Sequence, residues 1–177
     1  MEQIKNLVVT LEQCLPGLDI GPMLASLPES SEQGTVLDWL YEQLSEQGLM
    51  VYEEWGEYSG DIPELKPLSD LAISEDPAEF IFSLIEEIDW STASVDPDEL
   101  PYVMPWLEHI NFYLKPYGVR LVDLLPFENA YILCLRDDET LLQKLHDQLN
   151  VLGMGINVRQ SMDQEQVSAK INSLIYD

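Results

Sequence analysis

The sequence predicts an α+β fold, in which a helix-rich N-terminal part packs with a small, mostly antiparallel sheet whose strands come mainly from residues 118–160. Two observations lead to this prediction. Through residues 1–114, apolar side chains recur at three- and four-residue spacing, which is typical of amphipathic helices. After Gly118, short apolar runs rich in β-branched residues alternate with turn residues, which is typical of strands.

The first two predicted helices differ in how clearly their ends are marked. Apolar residues share one helical face over residues 4–11, and Pro16 ends that pattern. Thr35 is placed to cap a second helix over residues 36–44, and Gly48 stands where a left-handed residue ends a helix. Between these helices, several prolines and glycines predict a connection with at most one short helical turn.

The middle of the chain contains one predicted strand and two predicted helices. Residues 49–55 are typical of a strand, and the turn residues after them allow a second short strand to return. Asp76 and Pro77 open a third helix as its cap and first residue. A fourth helix is predicted over residues 106–114.

The C-terminal third predicts strand, strand, helix, strand and helix in that order. Residues 119–125 and 131–135 form the first two strands, with residues 126–129 as a hairpin turn. Acidic residues from Asp137 start a helix, a third extended run covers residues 156–159, and a last helix follows. This order predicts an antiparallel pair extended by a third strand, with helices on one face.

Residues 106–155 carry a recognisable pattern. It begins Trp106-Leu-Glu-His-Ile-Asn-Phe-Tyr-Leu-Lys-Pro-Tyr-Gly-Val-Arg-Leu-Val-Asp, continues with Tyr131-Ile-Leu-Cys-Leu and closes on a leucine-rich helix ending in Leu152-Gly153. This pattern resembles an uncharacterised bacterial family, known as a domain of unknown function. The resemblance implies an α+β fold and a bacterial origin. It carries over no catalytic or binding residue.

The charge of the chain is large and unevenly distributed. The net charge is −25, and residues 1–114 hold 24 Asp and Glu against 2 Lys and Arg, whereas residues 115–177 hold 9 against 6. A surface of this sign repels nucleic acid and anionic lipid, so direct nucleic-acid binding and membrane binding are not expected. A basic protein partner would instead be steered towards the first two thirds of the chain.

The length and the remaining composition indicate an ordinary folded chain. With 177 residues and 46% hydrophobic composition, a single domain over 1–177 is expected, with a possible subdivision into 1–105 and 106–177. No apolar stretch is long enough for a membrane span, and the N-terminus lacks a signal pattern, so a cytoplasmic location is expected. Cys14 and Cys134 are predicted to be reduced core residues.

The best candidate site lies where carboxylates and aromatic side chains fall together. It comprises Glu53, Glu54, Trp55, Glu57 and Tyr58, with Trp90 added as a further aromatic. Of these aromatic residues, Trp55, Tyr58 and Trp90 are predicted to be exposed anchors for a partner, because they stand nearest to turns and acids. The alternative interpretation is a solvated edge strand and turn.

No catalytic, metal or cofactor motif stands out. His109 and His146 belong to no metal-binding spacing, and no nucleophile elbow or phosphate-binding loop is present. Acids at residues 96–99 and 137–139 are better explained as helix caps than as metal ligands. No cofactor is therefore expected, and catalysis is left unsupported.

The sequence therefore favours a binding protein that engages a basic protein partner, by analogy with immunity proteins and other inhibitors. A carboxylate- or metal-dependent hydrolase using residues 53–58 or 96–99 is one alternative. A nucleic-acid mimic is another alternative. Acids spread evenly over the share of the surface that belongs to residues 1–114 would give roughly 250 Å² per excess charge, against about 100 Å² for duplex DNA. The oligomeric state stays open.

Overall fold

A computed structural model describes residues 1–127 and 130–176, and the following helices and strands lie within these two ranges. The strands are β1 (Met50–Glu53), β2 (Val119–Leu125), β3 (Ala130–Arg136) and β4 (Gly155–Asn157). The α-helices are α1 (Glu2–Cys14), α2 (Gly21–Ala25), α3 (Gln33–Glu46), α4 (Pro77–Glu86), α5 (Leu100–Val103), α6 (Trp106–Leu114), α7 (Glu139–Asn150) and α8 (Gln164–Ile175). The α+β class is thereby confirmed.

The helices of the N-terminal part follow the apolar spacing of the sequence. Helix α1 buries the predicted face, and Gly48 ends the α3 region with a φ of +71°. The predicted cap at Thr35 is wrong, because α3 already begins at Gln33 and Glu32 is its N-cap. The Gln33 side chain donates to the carbonyl oxygen of Gly153, and this tertiary contact lies on the added turn.

Aspartate caps begin three of the longer helices. Asp76 accepts a hydrogen bond from the Ala78 N–H at the start of α4, as predicted. Asp138 accepts from two backbone N–H groups of α7. Asp163 forms a capping box with Gln166 at the start of α8. Each carboxylate satisfies N–H groups that have no partner inside the helix, so part of the acidic composition has a structural role.

The segment after β1 does not return as a second strand, so that prediction is wrong. The chain instead forms short 3₁₀ helices at Trp55–Glu57 and Lys66–Leu68. Between them Gly60 has a φ of +82°, and a Cβ at this position would lie 2.5 Å from the indole of Trp106. The positive φ and the close approach to Trp106 both require glycine here, and this left-handed conformation is not that of a strand.

The described residues form a four-stranded antiparallel sheet in the order β1-β3-β2-β4. Strands β2 and β3 pair from Val119 opposite Arg136 to Asp123 opposite Ile132, which confirms the predicted central pair. Strand β4 adds to β2, and β1 adds to β3 on the other side. Residues 128 and 129, the last two of the predicted hairpin turn, lie outside the described ranges.

Helices cover both faces of this sheet, so the prediction of helices on one face is wrong. On the first face, α1, α3 and α7 pack on Val122 and Leu133. On the second face, α4, α6 and α8 pack on Leu121 and Ile132. The two central strands are near-continuous apolar runs because both of their faces are buried. Each core cluster contains residues from before and after position 105.

The two cysteines are buried and free, as predicted. Cys14 belongs to the core on the first face of the sheet and Cys134 to the core on the second. Burial raises the pKa of Cys14 to about 11 and that of Cys134 to about 12. Both thiols are therefore protonated at neutral pH and are poor nucleophiles.

Asn111 completes the sheet where β4 is too short to do so. Strand β4 pairs with residues 123–125 of β2, which leaves the outer edge of Leu121 without a strand partner. The side chain of Asn111 accepts from the Leu121 N–H at 2.7 Å and donates to the Leu121 carbonyl oxygen at 2.9 Å. It also donates to the Arg159 carbonyl oxygen at 2.8 Å, so one buried amide replaces a missing strand residue.

Replacing this amide is expected to lower the stability of the whole domain. Asn111→Ala leaves buried backbone groups of Leu121 and Arg159 unpaired, which costs on the order of 3 kcal/mol. Urea unfolding followed by circular dichroism measures this loss. The matched control Asn172→Ala, at an exposed position of α8, should change the unfolding free energy by less than about 0.5 kcal/mol. Equal losses in the two variants would contradict this role of Asn111.

Candidate binding groove at the edge of the sheet

One edge of the sheet borders a surface groove, which we call the edge groove. Strand β1 has β3 as its neighbour on one side and stands at the end of the strand order. The groove runs along its other side, between β1 and residues 61–64, and has a volume of about 610 Å³. It is lined by Tyr41, Met50, Val51, Tyr52, Glu53, Asp61, Ile62, Pro63 and Glu64.

The opposite edge of the sheet is closed. The Ile156 N–H of β4 donates to Nδ1 of His146 on α7, at 3.1 Å. The imidazole lies so close to the strand that a Cβ at Gly155 would stand 2.8 Å from its Cε1 atom. His146 thus has a structural role at this edge. The two edges of the sheet differ, since one is covered by a helix side chain and the other faces a groove.

Tyrosines form the wall of the edge groove on the first face of the sheet. Tyr41 of α3 and Tyr52 of β1 are each 37% exposed. Both rings meet the ring of Tyr131 edge to face, with centroids 5.8 and 5.2 Å away. Phe127 packs on the other side of Tyr131 at 5.5 Å. This packing keeps two large, partly apolar side chains at the surface with little freedom to lose on binding.

Three carboxylates, Glu53, Asp61 and Glu64, also line the edge groove. Glu53 is half-buried, whereas Asp61 and Glu64 are exposed. Burial raises the pKa of Glu53, and the negative charge of Asp61 raises it further. Glu54, at the margin of the groove, accepts a hydrogen bond from the Tyr52 hydroxyl at 3.0 Å. The groove therefore concentrates negative charge beside the tyrosines, and a cation would relieve the repulsion between Glu53 and Asp61.

Tyr58 fixes the outer wall of the groove. Its side chain is only 6% exposed, so the prediction that Tyr58 is an exposed anchor is wrong. It packs between the rings of Trp55 and Trp106, and its hydroxyl donates to the Asp61 carbonyl oxygen at 2.6 Å. Burial raises its pKa above the ordinary value, so the phenol stays protonated as a donor. Tyr58 therefore positions Asp61 rather than binding a partner.

A partly buried ion-pair network, centred on the buried Asp123, connects this wall to the sheet. Nε of Arg159 lies 2.7 Å from Asp123 of β2, and its Nη1 atom lies 3.4 Å from Glu108 of α6. The guanidinium also covers the ring of Trp55, 5.2 Å from the centroid. Burial raises the pKa of Glu108, and the positive charge of Arg159 opposes this effect. Trp55 is thus a half-buried contact of Arg159 instead of an exposed anchor, which corrects that prediction.

The other candidate residues fall in two places. Glu57 is exposed at the end of the 3₁₀ helix that begins at Trp55, and it does not line the edge groove. Trp90 is 40% exposed, as predicted. Its neighbour Asp89 donates its backbone N–H to the hydroxyl of Tyr176 after α8, so Trp90 lies near the end of that helix. Of the candidate residues, Glu53 alone is among those that line the edge groove.

Sequence reasoning missed several lining residues of the groove. Tyr41, Asp61 and Glu64 come from α3 and from the segment that follows Gly60. No local spacing links these residues, because the groove forms where residues 61–64 lie opposite β1 in the tertiary structure. Tyr41 carries one usable signal, since this aromatic side chain falls outside the buried face of its own helix.

The described residues contain no group of three or more His, Cys, Asp or Glu side chains arranged to hold a metal ion. Asp96 accepts from the Asp98 N–H and Asp138 from the Thr140 N–H, as expected for caps. His109 is fully buried, and its Nδ1 atom lies 3.0 Å from the Met162 carbonyl oxygen. Burial lowers the pKa of His109, so this ring is neutral at pH 7 and has a packing role.

Searches of protein-family models, of curated proteins and of solved structures found no match to this chain. The resemblance of residues 106–155 to an uncharacterised bacterial family stays a prediction. Within residues 1–127 and 130–176, no helix is long and apolar enough to cross a membrane. Fold and site together define an α+β protein with an acidic, tyrosine-lined groove at an open sheet edge.

Removing Arg159 is expected to destabilise the fold through the acids that it neutralises. Arg159→Gln leaves Asp123 and Glu108 without their counter-charge and costs about 3 kcal/mol. The loss of unfolding free energy caused by Asp123→Asn should be smaller in the Arg159→Gln variant than in the wild-type chain, by about 1 kcal/mol or more. Thermal and urea unfolding of the four proteins in this cycle measure the coupling. Strictly additive losses would contradict the network, and Lys170→Gln provides the control at an exposed basic residue.

Removing the charge of Asp61 is expected to lower the pKa of Glu53. In Asp61→Asn the pKa should move towards the ordinary value of 4.5 and stay above it, because burial still acts. The folded state binds the Glu53 proton more tightly than the unfolded state does, because the pKa of Glu53 is raised on folding. The unfolding free energy that this group contributes is therefore present below pH 4.5 and is lost as the pH rises through the raised pKa. Carboxyl NMR titration measures the shift. An unchanged Glu53 pKa, the same as in an Asp70→Asn control, would contradict the interaction.

Proposed function

We propose that this protein is an acidic binding protein, of the inhibitor or immunity-protein kind, that engages a basic protein partner through the edge groove. One observation carries the proposal. Three carboxylates and two exposed tyrosines line a single groove of about 610 Å³ beside a sheet edge that has no neighbouring strand in the described chain. Cavities of about 300–1,000 Å³ with a few convergent polar groups are typical of binding sites.

The distribution of charge supports a basic partner. The groove is built from residues 41–64, within the part of the chain that holds 24 acidic against 2 basic residues. Complementary charge raises the rate of encounter and rejects acidic competitors. The described structure gives Glu53, Asp61 and Glu64 no ion pair with a basic side chain. These three charges are therefore free to pair with a partner.

The tyrosines support a protein surface as the partner. Tyr41 and Tyr52 offer rigid contact area that is held from behind by Tyr131. Aromatic side chains that become buried on binding and are surrounded by polar groups dominate the binding energy at many protein interfaces. The groove thus combines anchors that supply affinity with carboxylates that supply charge selectivity.

A nucleic-acid mimic is less well supported. The accessible surface of 9109 Å², divided by the net charge of 25, gives about 360 Å² per charge. Duplex DNA presents on the order of 100 Å² per charge. Several acids are also engaged as caps or ion pairs inside the fold, such as Asp76, Asp123 and Asp138. A carboxylate-dependent hydrolase has no observation in its favour beyond the abundance of acids.

Selection from a displayed library of random twelve-residue peptides tests the proposal. Peptides selected on the wild-type protein should carry net positive charge. They should bind about tenfold more weakly to Glu53→Gln/Asp61→Asn/Glu64→Gln, because three attractive contacts are lost. Their affinity should also fall as the salt concentration rises. Fluorescence anisotropy with the selected peptides provides the dissociation constants.

The control variant makes the same change in net charge elsewhere. Glu12→Gln/Glu86→Gln/Glu87→Gln also removes three exposed carboxylates, none of which lines the edge groove. It should bind the selected peptides within about twofold of the wild-type protein. Selected peptides without positive charge, or equal losses in the two triple variants, would overturn the proposed site.

A further inference from the structure

We propose that the basic partner contributes an extended segment that pairs with β1 and becomes a fifth strand of the sheet. This inference rests on the proposed function, because it specifies how the partner occupies the edge groove. It adds a recognition mode that uses backbone hydrogen bonds as well as charge.

The first support comes from the backbone of β1. Residues along a strand direct their N–H and C=O groups alternately to one edge and to the other. Strand β1 pairs on one side with β3 over all four of its residues, from Met50 opposite Leu133 to Glu53 opposite Ala130. Within the described chain, no further backbone hydrogen bond reaches Met50–Glu53. The outward groups of β1 are thus open to a strand of about 13 Å in length.

The second support is that the chain stands off from this edge instead of covering it. The segment opposite β1 is fixed at both ends, by the Tyr58 hydroxyl on the Asp61 carbonyl oxygen and by the Lys66 N–H on the Gly48 carbonyl oxygen at 2.8 Å. Between these two contacts, residues 61–64 leave the groove of about 610 Å³ beside β1. An open edge between two fixed points gives an extended segment both a partner strand and an outer wall.

Charge decides which kind of strand fits. Open edges invite pairing with any exposed strand, and inward-pointing charges are one means by which proteins restrict this pairing. A second copy of this chain would place Glu53, Asp61 and Glu64 against the same acids, which is unfavourable. A segment rich in Lys or Arg would neutralise them. The groove therefore selects a basic strand and rejects its own edge.

Side-chain alternation predicts the sequence pattern of the bound segment. Tyr52 shares the first face of the sheet with Met50, whereas Glu53 shares the second face with Val51. A strand paired to β1 would direct alternate side chains to the same two faces. Apolar side chains would pack on Tyr41 and Tyr52, and basic side chains would meet Glu53. The partner segment is thus expected to alternate apolar and basic residues over about four positions.

Backbone N-methylation of a defined peptide tests the strand pairing. The probe is an eight-residue peptide of alternating Lys and Val with blocked ends. One derivative carries N-methyl groups on two successive Val residues, and the other carries them on two successive Lys residues. Because the N–H groups of residues i and i+2 point to the same edge of a strand, each derivative blocks one edge while the charge of the peptide is unchanged. Isothermal titration calorimetry on the full-length protein measures binding of all three peptides.

The expected result is asymmetric. One derivative should bind at least about tenfold more weakly than the parent, because its blocked edge faces β1, whereas the other should stay within about threefold. Amide hydrogen exchange at Met50–Glu53 should slow when the parent peptide binds and stay unchanged with the weakened derivative. The variant Glu53→Gln/Asp61→Asn/Glu64→Gln should weaken all three peptides.

The other outcomes separate the two proposals. If both methylated peptides bind as the parent does, the groove binds basic chains by charge alone, and strand pairing is overturned while the proposed function stands. If no peptide binds, both proposals fail. The free protein could also sediment as a dimer that the peptide dissociates. In that case a second copy of the chain occupies the edge of β1, and the proposal of a basic partner strand is overturned.

Discussion

The site depends on the ion pairs of Arg159, whose half-buried guanidinium lies between the sheet and the groove wall. It neutralises Asp123 in the sheet and Glu108 on α6, and its outer face lies against Trp55. Trp55 in turn packs on Tyr58, whose hydroxyl holds the Asp61 carbonyl oxygen at the groove. A chain of direct contacts thus connects the centre of the sheet to the wall of the binding groove. Because Asp123 is buried, its charge requires a partner, and this requirement constrains the position of Arg159.

The acidic residues of the chain divide into those that build the fold and those that face outwards. Asp76, Asp138 and Asp163 cap helices, and Asp123 pairs with Arg159 inside the structure. The carboxylates at the edge groove have no comparable ion-pair or capping partner in the described residues. Charge that is already paired contributes little to recognition, so the unpaired group determines what the surface attracts.

The two edges of the sheet differ in whether their backbone groups have partners. His146 covers β4, and Asn111 pairs Leu121 in the part of β2 that β4 does not reach. Strand β1 has neither device, and its short length, its carboxylate and the nearby Pro63 restrict pairing instead of preventing it. An edge restricted in these ways remains open to a short strand of the opposite charge.

The sequence alone determined the helices, the central strand pair and the asymmetry of charge, because these depend on local spacing, on capping residues such as Asp76 and on composition. Of the candidate residues that it named, Glu53 lines the edge groove. The tertiary structure decided that helices cover both faces of the sheet, that Tyr58 is buried and that Tyr41 and Asp61 meet at one groove. These features depend on contacts between residues far apart in the chain, and local patterns do not record which distant elements will pack together.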